Sequence, residues 1–160
     1  MANDRMSNER MPTEQVLADV LEATPALGEV HQAMRTAHDA AWRATQPRLL
    51  ELARKLVALL LHCDDELHER TPGVDIDDAV FSELPKWPTS PAFNDAERAV
   101  LAFTEQFVTD VASLNDDVAG NVRKHLGDEG LNDFTKALLV VEQRIRLRLV
   151  WGQLLGSVHV

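Results

Sequence analysis

The reactive side chains of this chain concentrate in one short stretch, HCDDELHER, at residues 62–70. It contains the only cysteine, Cys63, together with two histidines and four acidic residues. Such a mixture is compatible with a thiol-based reaction centre, a metal site or a solvated helix end. The stretch follows the apolar run LVALLL and precedes the turn TPG. We therefore expect it to lie where a long buried helix ends.

Two roles are open for Cys63. A free cysteine at the end of an apolar helix is commonly a small buried hydrophobic residue. A reactive thiol has to ionise, and the adjacent acids Asp64, Asp65 and Glu66 are expected to raise its pKa. A helix N-terminus at Cys63 would lower that pKa instead. The sequence leaves the balance between these two effects open.

Several side chains in the stretch could bind a divalent metal. They are His62, Asp64, Asp65, Glu66 and His68. Helical metal sites favour ligands three or four residues apart, and Asp64 with His68 is the best such pair, but the HExxH motif is absent. We therefore predict neither a metal nor a cofactor. We interpret His68 as a surface residue or a pocket hydrogen-bonding group in preference to a general base.

Charge and composition limit the class of protein. The 160 residues carry a formal net charge of −10, which disfavours nucleic acid and anionic membrane surfaces as partners. The longest apolar run, LVALLL, is far shorter than the roughly 20 residues of a membrane span. The polar N-terminus MANDRMSNERMP does not resemble a secretory signal, and a single cysteine fits a reducing compartment. We expect a soluble, cytoplasmic protein.

Helical signals recur along the first half of the chain. Residues 1–11 are predicted to form a flexible arm, and TEQVLADVLEA after Pro12 has the apolar spacing of a helix. Pro25 and Pro47 are suited to the first turns of two further helices. The helix after Pro47 has a broad apolar stripe, so we expect it to be central.

The second half carries clear capping signals. Asp75 or Asp77 can cap the short segment DDAVFSEL, and Asn94 with Glu97 has the spacing of a capping box. The linker PKWPTSPAF, residues 85–93, is predicted to be an ordered loop anchored by its two aromatic residues. Gly127 is expected to end a helix before the long last element. No window alternates with period two. The prediction is one all-α domain, residues 12–160, with seven or eight helices.

Two parts of the chain resemble a known family. The C-terminal half, from NDAERAVLAFTEQF to WGQLLG, resembles the second half of carboxymuconolactone decarboxylase-like proteins, which include the alkylhydroperoxidase D group. The order is a capped helix, an acidic turn, a small helix and a DEGL entry, residues 128–131, to a long final helix. ELARKLVALLLHCDDEL resembles the helix that leads into the family's reactive segment. The resemblance covers residues 12–156 and implies an all-α bundle that forms homo-oligomers: dimers, trimers or hexamers.

The resemblance also implies where a reactive site would lie. Peroxidases of the family have a glutamate, a CxxC pair whose first cysteine lies twelve residues later, and a histidine four residues after the pair. Glu51 and Cys63 match the first two positions, but Glu66 stands in place of the second cysteine and Arg70 in place of the histidine. Decarboxylase-like members often have glutamate at the position of Glu66, although Arg70 departs from their pattern too. We therefore predict that this chain is not a two-cysteine peroxidase, since no second thiol can resolve an oxidised Cys63.

Two functions follow from these residues. The first is an enzyme acting on a small organic substrate through Glu51, Cys63, Glu66 and His68, with Glu66 or His68 moving a proton. The second is a non-catalytic oligomeric helical protein. It would bind a small ligand or partner through the pocket that the resemblance implies for the ancestral site. The enzyme requires these side chains to converge on a solvent-reachable cavity. The binding protein predicts a closed or apolar cavity, with the acids pointing to water.

Charged residues outside the stretch leave further alternatives. Glu51, with Arg54 and Lys55 three and four residues on, forms a surface ion pair or points into the pocket. Arg144 and Arg148 share one face of the last helix. They are expected to pair with acids across a subunit contact or to extend from an apolar face into solvent.

Overall fold

Helices form nearly all regular structure in the computed structural model, which describes residues 24–156, with side chains to residue 153. The helices are α1 (Pro25–Ala44), α2 (Pro47–Leu60), α3 (Asp64–His68), α4 (Asp78–Ser82), α5 (Asp95–Thr109) and α6 (Asp116–Gly156), with 3-10 helices at Leu84–Lys86 and Val111–Ser113. No strand occurs within residues 24–156. The predicted all-α class is confirmed. The predicted arm at 1–11 and the helix of TEQVLADVLEA lie outside the described residues.

The predicted start signals are present. Pro25 and Pro47 occupy the first turns of α1 and α2. The Asp77 side chain accepts a 2.8 Å hydrogen bond from the backbone N–H of Ala79 at the start of α4. Before α5, Asn94 and Glu97 exchange side-chain to backbone hydrogen bonds of 2.9 Å in both directions, which confirms the capping box.

Helix α2 is the central element of the bundle. Every residue from 49 to 58 is buried, and the helix packs against both α5 and α6. One face joins a core cluster with Phe103 and Phe134, and the opposite face joins a second cluster with Leu84 and Phe93. The apolar stripe therefore predicted the position of α2 correctly, but the burial extends around the whole helix, including its charged residues.

The loop 85–93 is ordered, as its aromatic residues predicted. Phe93 is buried and Trp87 packs against the same cluster. The indole N–H of Trp87 donates a 3.2 Å hydrogen bond to Glu105 in α5. This loop therefore closes the side of the bundle formed by α2 and α5.

Gly127 interrupts α6. Its φ of 75° lies in the left-handed region, which glycine enters without steric penalty. The helix that was predicted to end here is followed directly by the long final helix, so the two parts meet at a break. None of the helices between residues 24 and 156 combines the length and apolar character needed to cross a bilayer.

The junction between α2 and α3 turns sharply at His62. This residue has a φ of 55°, the one positive φ at a non-glycine position in the described chain. The turn lets the backbone N–H of Cys63 donate to the carbonyl of Ala58, 2.8 Å away, and places Cys63 at the N-cap of α3. Helix α3 is thereby folded back against α2.

Candidate functional site

A buried network of charged side chains joins α2, α3 and α6. Its centre is Arg54, which is 2% exposed. Arg54 donates from Nε to Glu51 Oε2 at 2.9 Å and from Nη2 to Glu51 Oε1 at 2.8 Å. It also donates from Nη1 to Glu66 Oε2 and from Nη2 to the carbonyl of Glu69 at 2.8 Å. One guanidinium therefore binds carboxylates of two helices, and it holds Glu51 in the fork geometry that arginine favours.

Glu66 links this centre to α6. Its side chain is fully buried, and Oε1 accepts a 2.8 Å hydrogen bond from Arg148 Nη1. Arg144 lies 3.3 Å from the same oxygen. Glu69, at the surface end of the network, pairs with Arg148 and lies 3.6 Å from Arg144. Three arginines, Arg54, Arg144 and Arg148, thus surround this carboxylate.

Lys55 fixes the C-terminal end of α3. Its Nζ donates to the backbone carbonyls of Glu66 at 2.7 Å, Leu67 at 2.8 Å and Glu69. A lysine ammonium has three protons, so all three are used. The same Nζ lies 5.5 Å from the ring centroid of Phe81. Lys55 therefore satisfies carbonyl groups that the end of a short helix leaves unpaired.

The pKa shifts follow from this arrangement. Burial raises the pKa of Glu51, but hydrogen bonds from Arg54 and Thr71 and the Arg54 charge outweigh it, so the net pKa is lowered. Burial also raises the pKa of Glu69, and Arg148 and Arg144 again lower it overall. Burial lowers the pKa of Lys55 to about 8, with a further decrease from the charge of Arg54. At neutral pH Glu51 and Glu69 are thus ionised and paired.

Cys63 is buried beside the network. Burial is the main cause of a raised thiol pKa, and the charges of Glu66 and Asp65 raise it further. The backbone N–H of Glu66 and the charge of Arg148 lower the pKa and are weaker than the effect of burial. The sequence left open whether the helix N-terminus or burial and acids would dominate at Cys63. In the structure burial decides the balance, so the pKa is raised and the thiol is held in its neutral form.

His68 lies away from the other three candidates. It is exposed, and its Nδ1 is 2.7 Å from the carbonyl of Asp64 in the same short helix. The Asp64–His68 pair therefore involves a backbone carbonyl and not the Asp64 carboxylate. Among the described residues, no group of three or more His, Cys, Asp and Glu side chains is arranged to hold a metal ion.

Arg70, at the position where the sequence resemblance implies a histidine, contacts residues of α4. Its guanidinium lies 4.2 Å from the ring centroid of Phe81 and pairs with Asp78 at the surface. Arg70 thus contributes to docking the loop before α4. It makes no ion pair with Glu51 or Glu66.

Three of the four predicted site residues, Glu51, Cys63 and Glu66, therefore lie together, and His68 lies apart. The surface ion pair considered for Glu51 is wrong, because both Glu51 and Arg54 are buried. The partners of Arg144 and Arg148 belong to α3 of the same chain, and no second subunit is needed to supply them.

Arg54, Lys55 and Arg148 were not predicted as site residues. Two signals were present in the sequence. Charged residues interrupt the broad apolar stripe of α2, and two arginines are spaced four apart on α6. Neither signal identifies the acid that Arg148 binds, because Arg148 and Glu66 are 82 residues apart in the sequence.

A shallow groove of about 340 Å³ lies next to the network. We call it the α1 groove. Its lining comes from α1, Pro47 and the turn after Arg70: His38, Asp39, Trp42, Pro47, Thr71, Pro72, Gly73 and Val74. Thr71 connects it to the network, because its hydroxyl donates a 2.7 Å hydrogen bond to Glu51 Oε2.

The chain is similar to a solved structure at low sequence identity. No family model matches the chain, and no curated protein matches it. A similar solved structure is that of a protein of unknown function from Agrobacterium tumefaciens, assigned provisionally as the antioxidant defence protein AhpD. The TM-score is 0.68 at 20% identity, over 88% of this chain and 95% of that one. At this identity the likeness establishes the fold, and the resemblance seen in the sequence is confirmed at that level: the chain has the alkylhydroperoxidase D-like fold.

Proposed function

We propose that this chain is a divergent protein of the alkylhydroperoxidase D-like fold that is not a two-cysteine peroxidase. We further propose that it acts as a non-catalytic helical protein binding a small ligand. The observation that carries the proposal is the pairing of both buried carboxylates, Glu51 and Glu66, with arginine. The site of the family's chemistry is thereby a structural ion network in this chain.

The thiol chemistry of the family requires a thiolate and a resolving partner. Cys63 is the single cysteine of the chain, and burial raises its pKa. Oxidation of Cys63 by a peroxide would leave a sulfenic acid with no second cysteine to convert it to a disulfide. Both the reactivity of the first step and the partner of the second step are therefore missing.

Acid–base chemistry at the carboxylates is disfavoured for a separate reason. A general base must reach the proton that it removes. Glu51 Oε1 accepts from Arg54, and Oε2 accepts from both Arg54 and Thr71. Removing these bonds would leave a buried, unpaired charge, which is costly. The acids thus support the fold of α2 against α3.

A second candidate is an enzyme acting on a small organic substrate. It is favoured by the link between Glu51 and Glu66 through Arg54 and by the position of Cys63 beside Glu66. It requires Glu66 to release Arg54 or Arg148 when the substrate binds. The thiol measurement below separates the two candidates, because a substrate-ready site would leave Cys63 accessible to small reagents.

The test is alkylation of Cys63 by iodoacetamide as a function of pH, in the native protein and in urea. We expect native alkylation to be at least about 100-fold slower than in urea, with an apparent pKa above the unperturbed value of about 8.5. Consumption of hydrogen peroxide and cumene hydroperoxide, with dithiothreitol as reductant, is expected to be equal for the wild type and Cys63→Ala. Peroxide turnover that depends on Cys63 would overturn the proposal.

We also propose that the protein is a cytoplasmic homo-oligomer that does not bind nucleic acid. The net charge of −10 supports the last point. Assembly is supported by large apolar side chains that are exposed in the single chain, namely Leu27, Val30, Leu139 and Val150. Light scattering coupled to size exclusion measures the mass, and a single-chain mass of 17.8 kDa at micromolar concentration would contradict assembly.

A further inference from the structure

The α1 groove has the composition of a small-molecule site. Its volume of about 340 Å³ lies at the lower end of the range of roughly 300–1,000 Å³ for ligand pockets. Trp42, Pro47, Pro72 and Val74 supply apolar surface, while only a few polar groups line the groove. Ligand sites commonly combine an apolar wall with a small number of placed polar atoms.

The protonation of His38 is fixed by its neighbour. The indole Nε1–H of Trp42 donates to His38 Nε2 at 3.2 Å, and an indole nitrogen can only donate. Nε2 is therefore the acceptor, so the neutral ring carries its proton on Nδ1. Burial and the charge of Arg144 lower the pKa of His38, which maintains the neutral form at neutral pH. Within residues 24–156 no acceptor is bound to Nδ1–H, and His38 lines the groove, which makes this N–H the candidate donor to a ligand.

The charge of the lining selects among ligands. No lysine or arginine lines the groove, whereas the carboxylate of Asp39 does. An anion would be repelled by Asp39 and would lack a cationic partner in the lining. A neutral molecule with an acceptor oxygen avoids the repulsion and still satisfies His38.

The shape of the lining favours a flat ligand. The His38 and Trp42 rings meet edge to face, with centroids 6.1 Å apart and an angle of 72° between planes. The turn at Gly73, with its φ of 79°, also brings Pro72 and Val74 to the groove. Thr71 is held by its bond to Glu51, so this wall is anchored to the ion network.

We propose that the α1 groove binds a small, neutral, flat carbonyl compound, such as an aromatic carboxamide. Its ring lies between Trp42 and Pro72, and its carbonyl oxygen accepts a hydrogen bond from His38 Nδ1–H. The inference rests on the proposed ligand-binding function and names its site and chemical class.

The experiment is an NMR titration of the ¹⁵N-labelled protein with benzamide, and with benzoate as the isosteric anion. The Trp42 indole cross-peak is assigned by its loss in Trp42→Phe. We expect saturable shifts of the Trp42 indole and the His38 ring with benzamide, and binding at least about tenfold weaker for benzoate. His38→Phe removes the donor and is expected to weaken benzamide binding about three- to tenfold. His125→Phe, at an exposed histidine outside the groove, is expected to change nothing.

Three results would overturn the inference: no saturable shift up to the solubility limit of benzamide, equal binding of benzoate, or unchanged binding by His38→Phe. If His38→Phe fails to fold, the comparison of benzamide with benzoate on the wild-type protein decides alone. Peroxide turnover dependent on Cys63, with benzamide still bound, would remove the non-catalytic function and leave the groove site in place. Absence of both turnover and binding would remove the groove site only.

Discussion

Arg54 and Glu51 form a bidentate ion pair inside the bundle, with two hydrogen bonds of 2.9 and 2.8 Å and both side chains 2% exposed. A buried charge is tolerated when it is paired and its hydrogen bonds are made. Because the same guanidinium also binds Glu66, a single cation pairs with acids on both sides of the α2–α3 junction. The packing of α3 on α2 thus depends on charge as well as on apolar contact.

Replacement of Arg54 is expected to be severely destabilising. Arg54→Ala leaves two buried carboxylates without their central cation, and breaking a buried pair in this way costs about 3–5 kcal/mol. Urea unfolding followed by circular dichroism measures the loss. The control is Arg123→Ala, which removes a surface pair with Asp128 and is expected to cost less than about 1 kcal/mol. Equal losses in the two variants would show that the network contributes no more than a surface ion pair.

Acid is expected to weaken the fold through Glu51. Its folded pKa lies below the unfolded value of 4.5, because Arg54 and Thr71 outweigh the effect of burial. The stabilisation is therefore present above pH 4.5 and is lost as the pH falls through the folded pKa. We expect the stability difference between the wild type and Glu51→Gln to shrink as the pH falls below about 4.5, measured by thermal unfolding. A difference that stays constant down to about pH 2 would contradict this assignment.

Lys55 gives a pH dependence of the same sign at alkaline pH. Its folded pKa of about 8 is below the unfolded value of 10.5, so the unfolded state binds more protons between these values. Stability from this residue therefore rises with pH from about 8 to about 10.5. Relative to Lys55→Arg, which stays charged, the wild type should gain on the order of 1–2 kcal/mol between pH 7 and pH 9.5.

Urea unfolding at the two pH values measures this gain. Lys124→Arg, at an exposed lysine, is the matched control and should show no such change. If Lys55→Arg does not fold, ¹³C NMR of the labelled Lys55 Cε in the wild type gives its pKa directly. A Lys55 titration near 10.5 would contradict the expected gain.

Arg148 is expected to control the local stability of α3. It binds Glu66 and Glu69 from α6, so Arg148→Ala should increase amide hydrogen exchange in residues 64–69. Arg146→Ala is the matched control, since Arg146 pairs with Glu142 within α6 and does not contact α3. Mass spectrometry of exchanged peptides measures the effect. Faster exchange of α3 in both variants would indicate a general loss of α6 packing.

Two glycines in α6 are expected to respond in opposite directions to the same change. A Cβ at either Gly127 or Gly120 would meet no atom within 4 Å. Gly127 has a φ of 75°, so Gly127→Ala forces alanine into the left-handed region at about 1–2 kcal/mol. Gly120 is helical, so Gly120→Ala should stabilise by about 0.4–1 kcal/mol. Thermal melting of the two variants checks both signs, and destabilisation by both would contradict the backbone explanation.

Local features of the fold could be predicted from the sequence because their causes are local. Pro25 and Pro47 begin helices, Asn94 with Glu97 forms a capping box, and Gly127 breaks a helix through interactions within a few residues. The broad stripe of α2 likewise indicated a central helix.

The candidate site was predicted only in part, because its causes are long-range. Spacing and resemblance brought Glu51, Cys63 and Glu66 together but placed His68 with them, although His68 points to solvent. Helical periodicity cannot show that Arg148 crosses to Glu66 from another helix. The sequence left open whether Glu51, Arg54 and Lys55 form a surface ion pair or whether Glu51 points into a pocket, and the network makes burial possible for Arg54 and Lys55.

Glu66 stands where a second cysteine would allow a disulfide to form with Cys63, and it joins α3 to α2 and α6 through arginine instead. A disulfide is made and broken by electron transfer, so a joint of that kind responds to the redox state of its surroundings. An ion network exchanges partners without a change in oxidation state. The packing of α3 against α2 and α6 therefore does not depend on thiols or oxidants. It depends on pH and on ions that compete for the charged side chains.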